Sequence, residues 1–288
     1  MRDVDPGERD RLFRLAYRML GRAGEADDAV QETFLRWAAA DQAAIQSPSA
    51  WLTTVCTRVC LDTLRSARWR REHYVGPWLP EPVLTTGEPD DPVVLAESVS
   101  MAFLVVLESL SPLERVAFVL HDIFDYSYDE VAAMLQRSPA AVRQLASRAR
   151  RHVAERPTRF EPDADRRAAV GDAFLDACMV ADLDLLLELL APDVTFVADS
   201  GGVAAAPRQP VEGADRVARL LLGLAARVPP GAELRRVEVN AMPGIVAVVD
   251  GRVDTVISLD VVDGRVTAVR VVRNPEKLRA LEIFPKAE

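Results

Sequence analysis

The spacing of apolar residues changes once along this chain, near Pro157 and Pro162, and the change calls for two kinds of architecture in one polypeptide. Before it, apolar residues recur at three- and four-residue steps. Leu12, Leu15, Ala16, Met19 and Leu20, then Ala29, Val30, Phe34 and Trp37, predict two helices broken near Gly21 and Gly24. The second opens on an acidic turn, Asp27 and Asp28, which suits the positive end of a helix. Ser47-Pro48 starts a long third helix carrying Trp51, Leu52, Val55, Val59 and Leu64, with Trp51 read as core. Further helices are expected over 99–110, after Ser111-Pro112 with Glu114 as a capping-box acid, over 126–135, and from Ser138-Pro139 to Val153. After the change, helices at 166–180 and 182–190 precede β-branched runs at 194–197, 234–239, 245–249, 255–259 and 266–272, with a helix at 215–227. Asp250-Gly251 and Asp263-Gly264 signal hairpins between the last three runs. Helices covering a curved antiparallel sheet make an α+β domain.

The organisation expected is therefore multidomain: all-α domains at 1–76 and 98–157, a linker at 77–97, and an α+β domain at 163–288. The linker holds Pro77, Pro80, Pro82, Pro89 and Pro92 among acids and no basic residue. At 49% hydrophobic and 27% charged, with no apolar stretch near eighteen residues, the composition excludes a disordered, collagen-like or helical membrane-spanning chain. The first residues carry acids and no apolar segment, so no secretory signal is expected and the cytoplasm is the expected compartment. Three cysteines make no disulfide framework. Cys56 and Cys60, at helical i, i+4 spacing without further ligands nearby, are expected to be buried, as is Cys178; no metal or cofactor is expected.

A net charge of −9 disfavours a nucleic-acid partner until its distribution is considered. Arg65, Arg68, Arg70 and Arg71 crowd one segment, and Arg137, Arg143, Arg148, Arg150, Arg151 and Arg156 another. The second cluster sits on a short helix, a polar turn at Gln136-Arg137 and a basic helix capped by Ser138, the outline of a helix-turn-helix. Arg143 and Gln144 have the donors that read guanine and adenine, with Ser147 beside them, and Arg137, Arg148 and Arg151 suit phosphates. The same pattern also fits a surface helical hairpin with an arginine-rich face. Glu25, Asp27, Asp28 and Glu32 form an acid-rich face beside Phe34 and Trp37, which suits a basic protein partner rather than DNA.

The run Asp27-Asp28-Ala29-Val30-Gln31-Glu32-Thr33-Phe34-Leu35-Arg36-Trp37, the arginine-rich long helix, the acidic linker and the helix-turn-helix together resemble a bacterial sigma factor of the extracytoplasmic-function type, over about the first 155 residues. The resemblance implies core RNA polymerase, through its β′ clamp and β flap, and promoter DNA as partners. It implies polymerase contacts for Asp28, Gln31, Glu32 and Phe34. It gives the polar loop 41–47 and the following helix the minus-10 element, through Arg58, Arg65, Arg68 and Arg71, and gives Arg143, Gln144, Ser147 and Arg148 the minus-35 element. Two DNA readers on one tether gain affinity through effective concentration.

A narrower resemblance covers Tyr74-Val75-Gly76-Pro77-Trp78-Leu79-Pro80-Glu81-Pro82 and Asn274-Pro275-Glu276-Lys277-Leu278, which look like motifs of the sigma-factor subgroup carrying a C-terminal SnoaL-like, ketosteroid-isomerase-like cone. Glu276 stands where the subgroup has aspartate, and Asp199-Ser200-Gly201-Gly202-Val203 stands where it has a glycine-rich motif ending in lysine. The subgroup's extension touches the linker and modulates sigma activity, which implies interdomain roles for Trp78, Leu79, Pro80, Asp199, Asn274, Pro275, Glu276, Lys277 and Leu278. The cone fold also serves enzymes and leaves room for a small ligand. All three histidines precede it, so an isomerase or hydrolase would need a carboxylate such as Asp182, Asp199 or Asp254, each of which also reads as a turn or surface acid. The leading expectation is a non-enzymatic sigma factor regulated in cis; the alternative is a SnoaL-like isomerase or hydrolase tethered to a DNA-binding helical region. A polymerase-independent repressor fits poorly, because no dimerisation signal accompanies the two basic elements.

Overall fold

The computed structural model describes residues 5, 7–72, 74–85, 100–155 and 163–281. Two compact units divide the chain, Met1–His73 with Phe103–Pro157 and Tyr74–Ala102 with Thr158–Glu288.

The first unit contains α1 (Gly7–Leu20), α2 (Ala23–Ala39), α3 (Pro48–Glu72), α4 (Met101–Glu108, which begins at the unit boundary), α5 (Pro112–Phe118), a π-helical turn (Val119–Ile123), α6 (Tyr128–Leu135) and α7 (Pro139–Ala154). Leu12, Leu15, Met19, Val30, Leu52 and Leu61 are buried where α1, α2 and α3 meet, as their spacing requires. The acidic-turn account of α2 does not hold. The helix starts at Ala23, so Asp27 and Asp28 lie in its second turn, beyond the exposed N–H groups, and Asp27 instead pairs with Arg9 at 2.6 Å.

The helix-turn-helix is built from local signals. Ser127 and Glu130 form a reciprocal capping box at the start of α6, Gln136 ends it in the left-handed region at φ 53°, and the Ser138 side chain accepts from the Ala141 N–H at 3.2 Å to open α7. Val131, Met134 and Leu135 of α6 and Val142, Leu145, Ala146 and Ala149 of α7 are buried, which fixes the helix pair and leaves the other side of α7 outside.

The second unit contains α8 (Ala164–Val180), α9 (Leu183–Leu189), β1 (Leu190–Asp199), β2 (Val211–Glu212), α10 (Ala214–Ala225), β3 (Glu233–Val239), β4 (Met242–Val249), β5 (Arg252–Val262), β6 (Arg265–Val272) and α11 (Pro275–Leu278). The sheet order is β2-β1-β6-β5-β4-β3. The expected antiparallel sheet needs one correction, since β1 pairs with β6 in parallel while every other pair is antiparallel. Both Asp-Gly turns take positive φ at their two central residues, and a third hairpin does so at Asn240-Ala241. One face of the sheet, through Val194, Phe196, Leu259, Val269 and Val271, packs with Phe174, Ala177, Leu186 and Leu221 of α8, α9 and α10 into an apolar core.

Residues 77–85, expected as part of an open linker, lie along this unit as a strap together with 74–76, expected to close the first helical domain. The Leu79 N–H donates to Asp199 Oδ2 at 2.8 Å, at the end of β1. Further on, Asn240 and Val83 exchange two hydrogen bonds at 2.8 and 3.1 Å, Leu84 bridges Val239, and the Thr85 N–H donates to Glu238 at 3.0 Å. Pro80, Glu81 and Pro82 are buried between the two anchorages. The remaining expected linker residues, 86–97, and the boundary prolines Pro157 and Pro162 lie outside the described residues.

Candidate functional site

Burial of Ala26, Ala29, Val30, Thr33 and Trp37 turns the opposite side of α2 outward. That side carries Asp28, Gln31 and Glu32 at helical spacing, with Asp28 and Gln31 exposed and Glu32 paired to Arg36 at 2.8 Å. Phe34 is half-buried. Leu35, at 60% exposure, completes the stripe with an apolar group that the sequence reading did not single out. An acidic stripe around an exposed leucine has the chemistry to suit a basic partner with an apolar seat.

Loop 41–47 and α3 enclose an open cleft of about 500 Å³, lined by Ile45, Gln46, Ser47, Trp51, Thr54 and Arg58. Trp51, expected in the core, is half-buried: it leans on Trp37 with ring centroids 5.4 Å apart and turns its remaining surface to the cleft. Such a cleft, with an aromatic wall, amide and hydroxyl groups and an arginine at its rim, has the chemistry for an unstacked base. Arg58 is exposed, and its Nε donates to the Met134 carbonyl at the end of α6 at 3.3 Å. Arg65 is exposed and lies 3.3 Å from Asp62. The side chains of Arg68 and Arg71 lie outside the described residues.

On α7, Arg143, Gln144, Ser147, Arg148 and Arg151 share the exposed side, with Arg137 in the preceding turn. Arg148 pairs with Glu114 at 3.2 Å. This helix therefore presents amide, hydroxyl and guanidinium donors along one stripe, as a groove-reading helix must.

The two helical parts of this unit are packed together through polar contacts. Arg11 donates to the Tyr126 hydroxyl at 3.0 Å, to Thr53 at 2.8 Å and to Ser49 at 3.1 Å, and Thr53 and Tyr126 lie 3.2 Å apart. Arg115 reaches the Met19 carbonyl at 2.9 Å and Glu108 at 2.6 Å.

In the second unit a single carboxylate gathers the strap and both C-terminal motifs. Asp199 is fully buried and Lys277 is 1% exposed, with Nζ 2.6 Å from Asp199 Oδ2. Lys277 also donates to the Leu79 carbonyl, and its Nζ lies 4.1 Å from the Trp78 ring centroid and 5.3 Å from that of Tyr74. The Tyr74 hydroxyl donates to Asp199 Oδ1 and accepts from Asn274 Nδ2 at 2.7 Å. Asn274 in turn caps α11 through the Glu276 N–H at 3.0 Å. Gly201 has φ 61°, and a Cβ there would come within 2.7 Å of the Asn274 side chain, so the turn admits only glycine without displacement. Leu278 is buried and Pro275 and Glu276 are exposed. Val203, where the resembling motif has lysine, is 77% exposed.

The carboxylates considered for catalysis are engaged elsewhere. Asp182 caps α9, Asp199 holds the strap, and Asp254 pairs with Arg273 at 2.9 Å. Asp260, not anticipated from sequence, is buried against Arg270; burial pushes its carboxyl up and the guanidinium opposes that shift. It alternates with Leu259 and so lies on the sheet face away from the helix-covered core.

Cys56 and Cys60 are buried, and the hydrogen bond between them together with burial holds the Cys60 thiol up. Cys178, expected to be buried as well, is only partly so, and that burial pushes its thiol up to about 12. Among the described residues no group of three His, Cys, Asp or Glu could hold a metal ion, and no helix is long and apolar enough to cross a membrane.

These features define a protein with two helical regions that carry outward basic stripes and an α+β extension, and the comparisons place it among transcription-initiation factors. The family model for Sigma-70 region 2 matches residues 8–70, and that for Sigma-70, region 4 matches residues 100–153. The chain is 44% identical over 283 residues to the ECF RNA polymerase sigma factor SigJ of Mycobacterium tuberculosis, covering 93% of this chain and 90% of that one. It is 36% identical over 273 residues to the probable ECF RNA polymerase sigma factor SigI of the same species, covering 94% and 92%. The crystal structure of M. tuberculosis SigJ superposes with a TM-score of 0.77 at 41% identity, covering 94% of this chain and 95% of that one. The chain belongs to the extracytoplasmic-function RNA polymerase sigma factors, with a C-terminal SnoaL-like domain.

Proposed function

We propose that this sigma factor binds core RNA polymerase in the cytoplasm through the α2 stripe of Asp28, Gln31, Glu32 and Leu35, seated on the β′ clamp, with region 4 against the β flap. The cleft beside Trp51 and Arg58 takes the minus-10 element, and the exposed side of α7 takes the minus-35 element. The observation that carries this reading is that three chemically distinct outward stripes, acidic-apolar on α2, aromatic-basic at α3 and basic-polar on α7, occupy one unit.

The C-terminal domain acts in cis and without catalysis. It holds the strap between regions 2 and 4 through Trp78, Leu79, Pro80, Asp199, Asn274 and Lys277, with Pro275, Glu276 and Leu278 completing the α11 motif. Minus-10 and minus-35 elements lie roughly two turns of duplex apart, ~70 Å. Regions 2 and 4 are packed together, with Arg58 on a region 4 carbonyl, so promoter engagement must separate them. A docked strap holds residues 74–85 to one path and removes their freedom to reorient, which opposes that separation and makes the domain inhibitory until the strap is released.

The polymerase interface is tested by replacing Asp28 and Glu32 with lysine and following co-elution with core polymerase. Both side chains point outward on a helix whose packing they do not share, so the melting temperature stays and binding is lost. Unchanged co-elution would place the interface elsewhere.

A further inference from the structure

Tyr128, the first residue of α6, touches two arginines of α7 that lie two turns apart. The Arg143 guanidinium carbon is 5.7 Å from the Tyr128 ring centroid. Arg150 donates from Nη2 to the Tyr128 hydroxyl at 2.9 Å and from Nε to Asp122 at 2.5 Å. Arginines seven residues apart share one side of a helix, about 10.5 Å apart along its axis, and a single tyrosine here serves both. The ring is itself held: His121 stacks on it with centroids 3.9 Å apart and planes 30° apart, and His121 Nδ1 lies 2.7 Å from the Tyr126 carbonyl.

Exposed arginine contacts add little to folding, because two long side chains lose freedom in high dielectric for a small gain. The same ordering matters more for binding. A guanidinium already restrained in its working direction loses less freedom when it meets a base or a phosphate.

We infer that Tyr128 is a positioning residue for promoter recognition, its ring orienting Arg143 toward a base edge and its hydroxyl orienting Arg150 toward the phosphate backbone. This rests on the reading of α7 as the minus-35 helix.

The test uses holoenzyme formed from core polymerase and the full chain, with a promoter selected by that holoenzyme from a random duplex library. Affinity is measured for this promoter and for duplexes changed at each minus-35 base pair, over a salt series, with wild type, Tyr128→Phe, Tyr128→Leu and Arg143→Ala. Tyr128→Leu lowers discrimination about threefold at the same base pair where Arg143→Ala lowers it. Tyr128→Phe keeps that discrimination and makes the slope of log affinity against log salt shallower by about one, as a lost phosphate contact does. A merely structural role would weaken all duplexes alike and leave both readouts unmoved. Wild-type discrimination in Tyr128→Leu, with loss in Arg143→Ala, overturns the role of the ring. An unchanged salt slope in Tyr128→Phe overturns the role of the hydroxyl, and that variant decides the matter alone if Tyr128→Leu does not fold. Unchanged discrimination in Arg143→Ala overturns the minus-35 assignment of Arg143 and the ring's role with it.

Discussion

Lys277 carries its ammonium into the protein interior and meets there a carboxylate, a carbonyl and two aromatic rings. Removing one member of a buried pair leaves the other charge uncompensated. Lys277→Ala is therefore expected to cost about 3–5 kcal/mol in urea unfolding. Lys277→Met combined with Asp199→Asn is expected to cost less than the sum of the two single changes, and strict additivity would show that the pair does not act as a unit. The residues of this cluster could be named from sequence only through the resemblance of their motifs. Their own chemistry gave no sign of it, since Asp199 and Lys277 are 78 residues apart and Tyr74 and Asn274 are 200 apart. Leu35 and Asp260 escaped for a different reason. An apolar residue on an acidic helix and an acid in a β-branched strand look like noise in the pattern until burial assigns each its face.

Elements whose causes are local were legible at close to their observed limits. The helix-turn-helix is the clearest case, because Ser127, Glu130, Ser138 and Pro139 specify its starts within a few residues of chain. Ser127→Ala is expected to cost about 1 kcal/mol through loss of the α6 cap. The hydrogen bonds from the Ser127 hydroxyl and backbone N–H hold the Glu130 carboxyl below the usual glutamate range. A carboxyl depressed in the native state stabilises it fully above the unfolded value, near 4.3, and loses that contribution as pH falls through the native value. The difference in melting temperature between wild type and Glu130→Ala should accordingly be full at neutral pH and narrow below about pH 4. A difference independent of pH would contradict an ionised cap. Where the cause was distant or the turn lacked a signature, the sequence said less. The Asn240-Ala241 hairpin uses alanine at φ 58°, where glycine would have announced the turn, and the parallel pairing of β1 with β6 joins strands separated by most of the domain.

At the scale of the molecule, the connector between the two sigma regions is the part that the composition described least well. A proline-rich acidic stretch reads as an open tether, yet Tyr74 through Thr85 is docked on the C-terminal sheet at Asp199 and again at the β3–β4 hairpin. Proline stiffens that segment and acids keep it off DNA, and both properties also serve a strap that must lie extended on a folded domain. Transcription is then expected to depend on the strap. Promoter-specific run-off transcription, measured with core polymerase and equal amounts of wild-type chain or Lys277→Met on a promoter selected from a random library, tests this most directly. The expected result is a promoter-dependent transcript from wild type and a higher yield from Lys277→Met, whose released strap lets regions 2 and 4 separate more readily. No promoter-specific transcript from either protein, or a yield from Lys277→Met no higher than wild type, would contradict it.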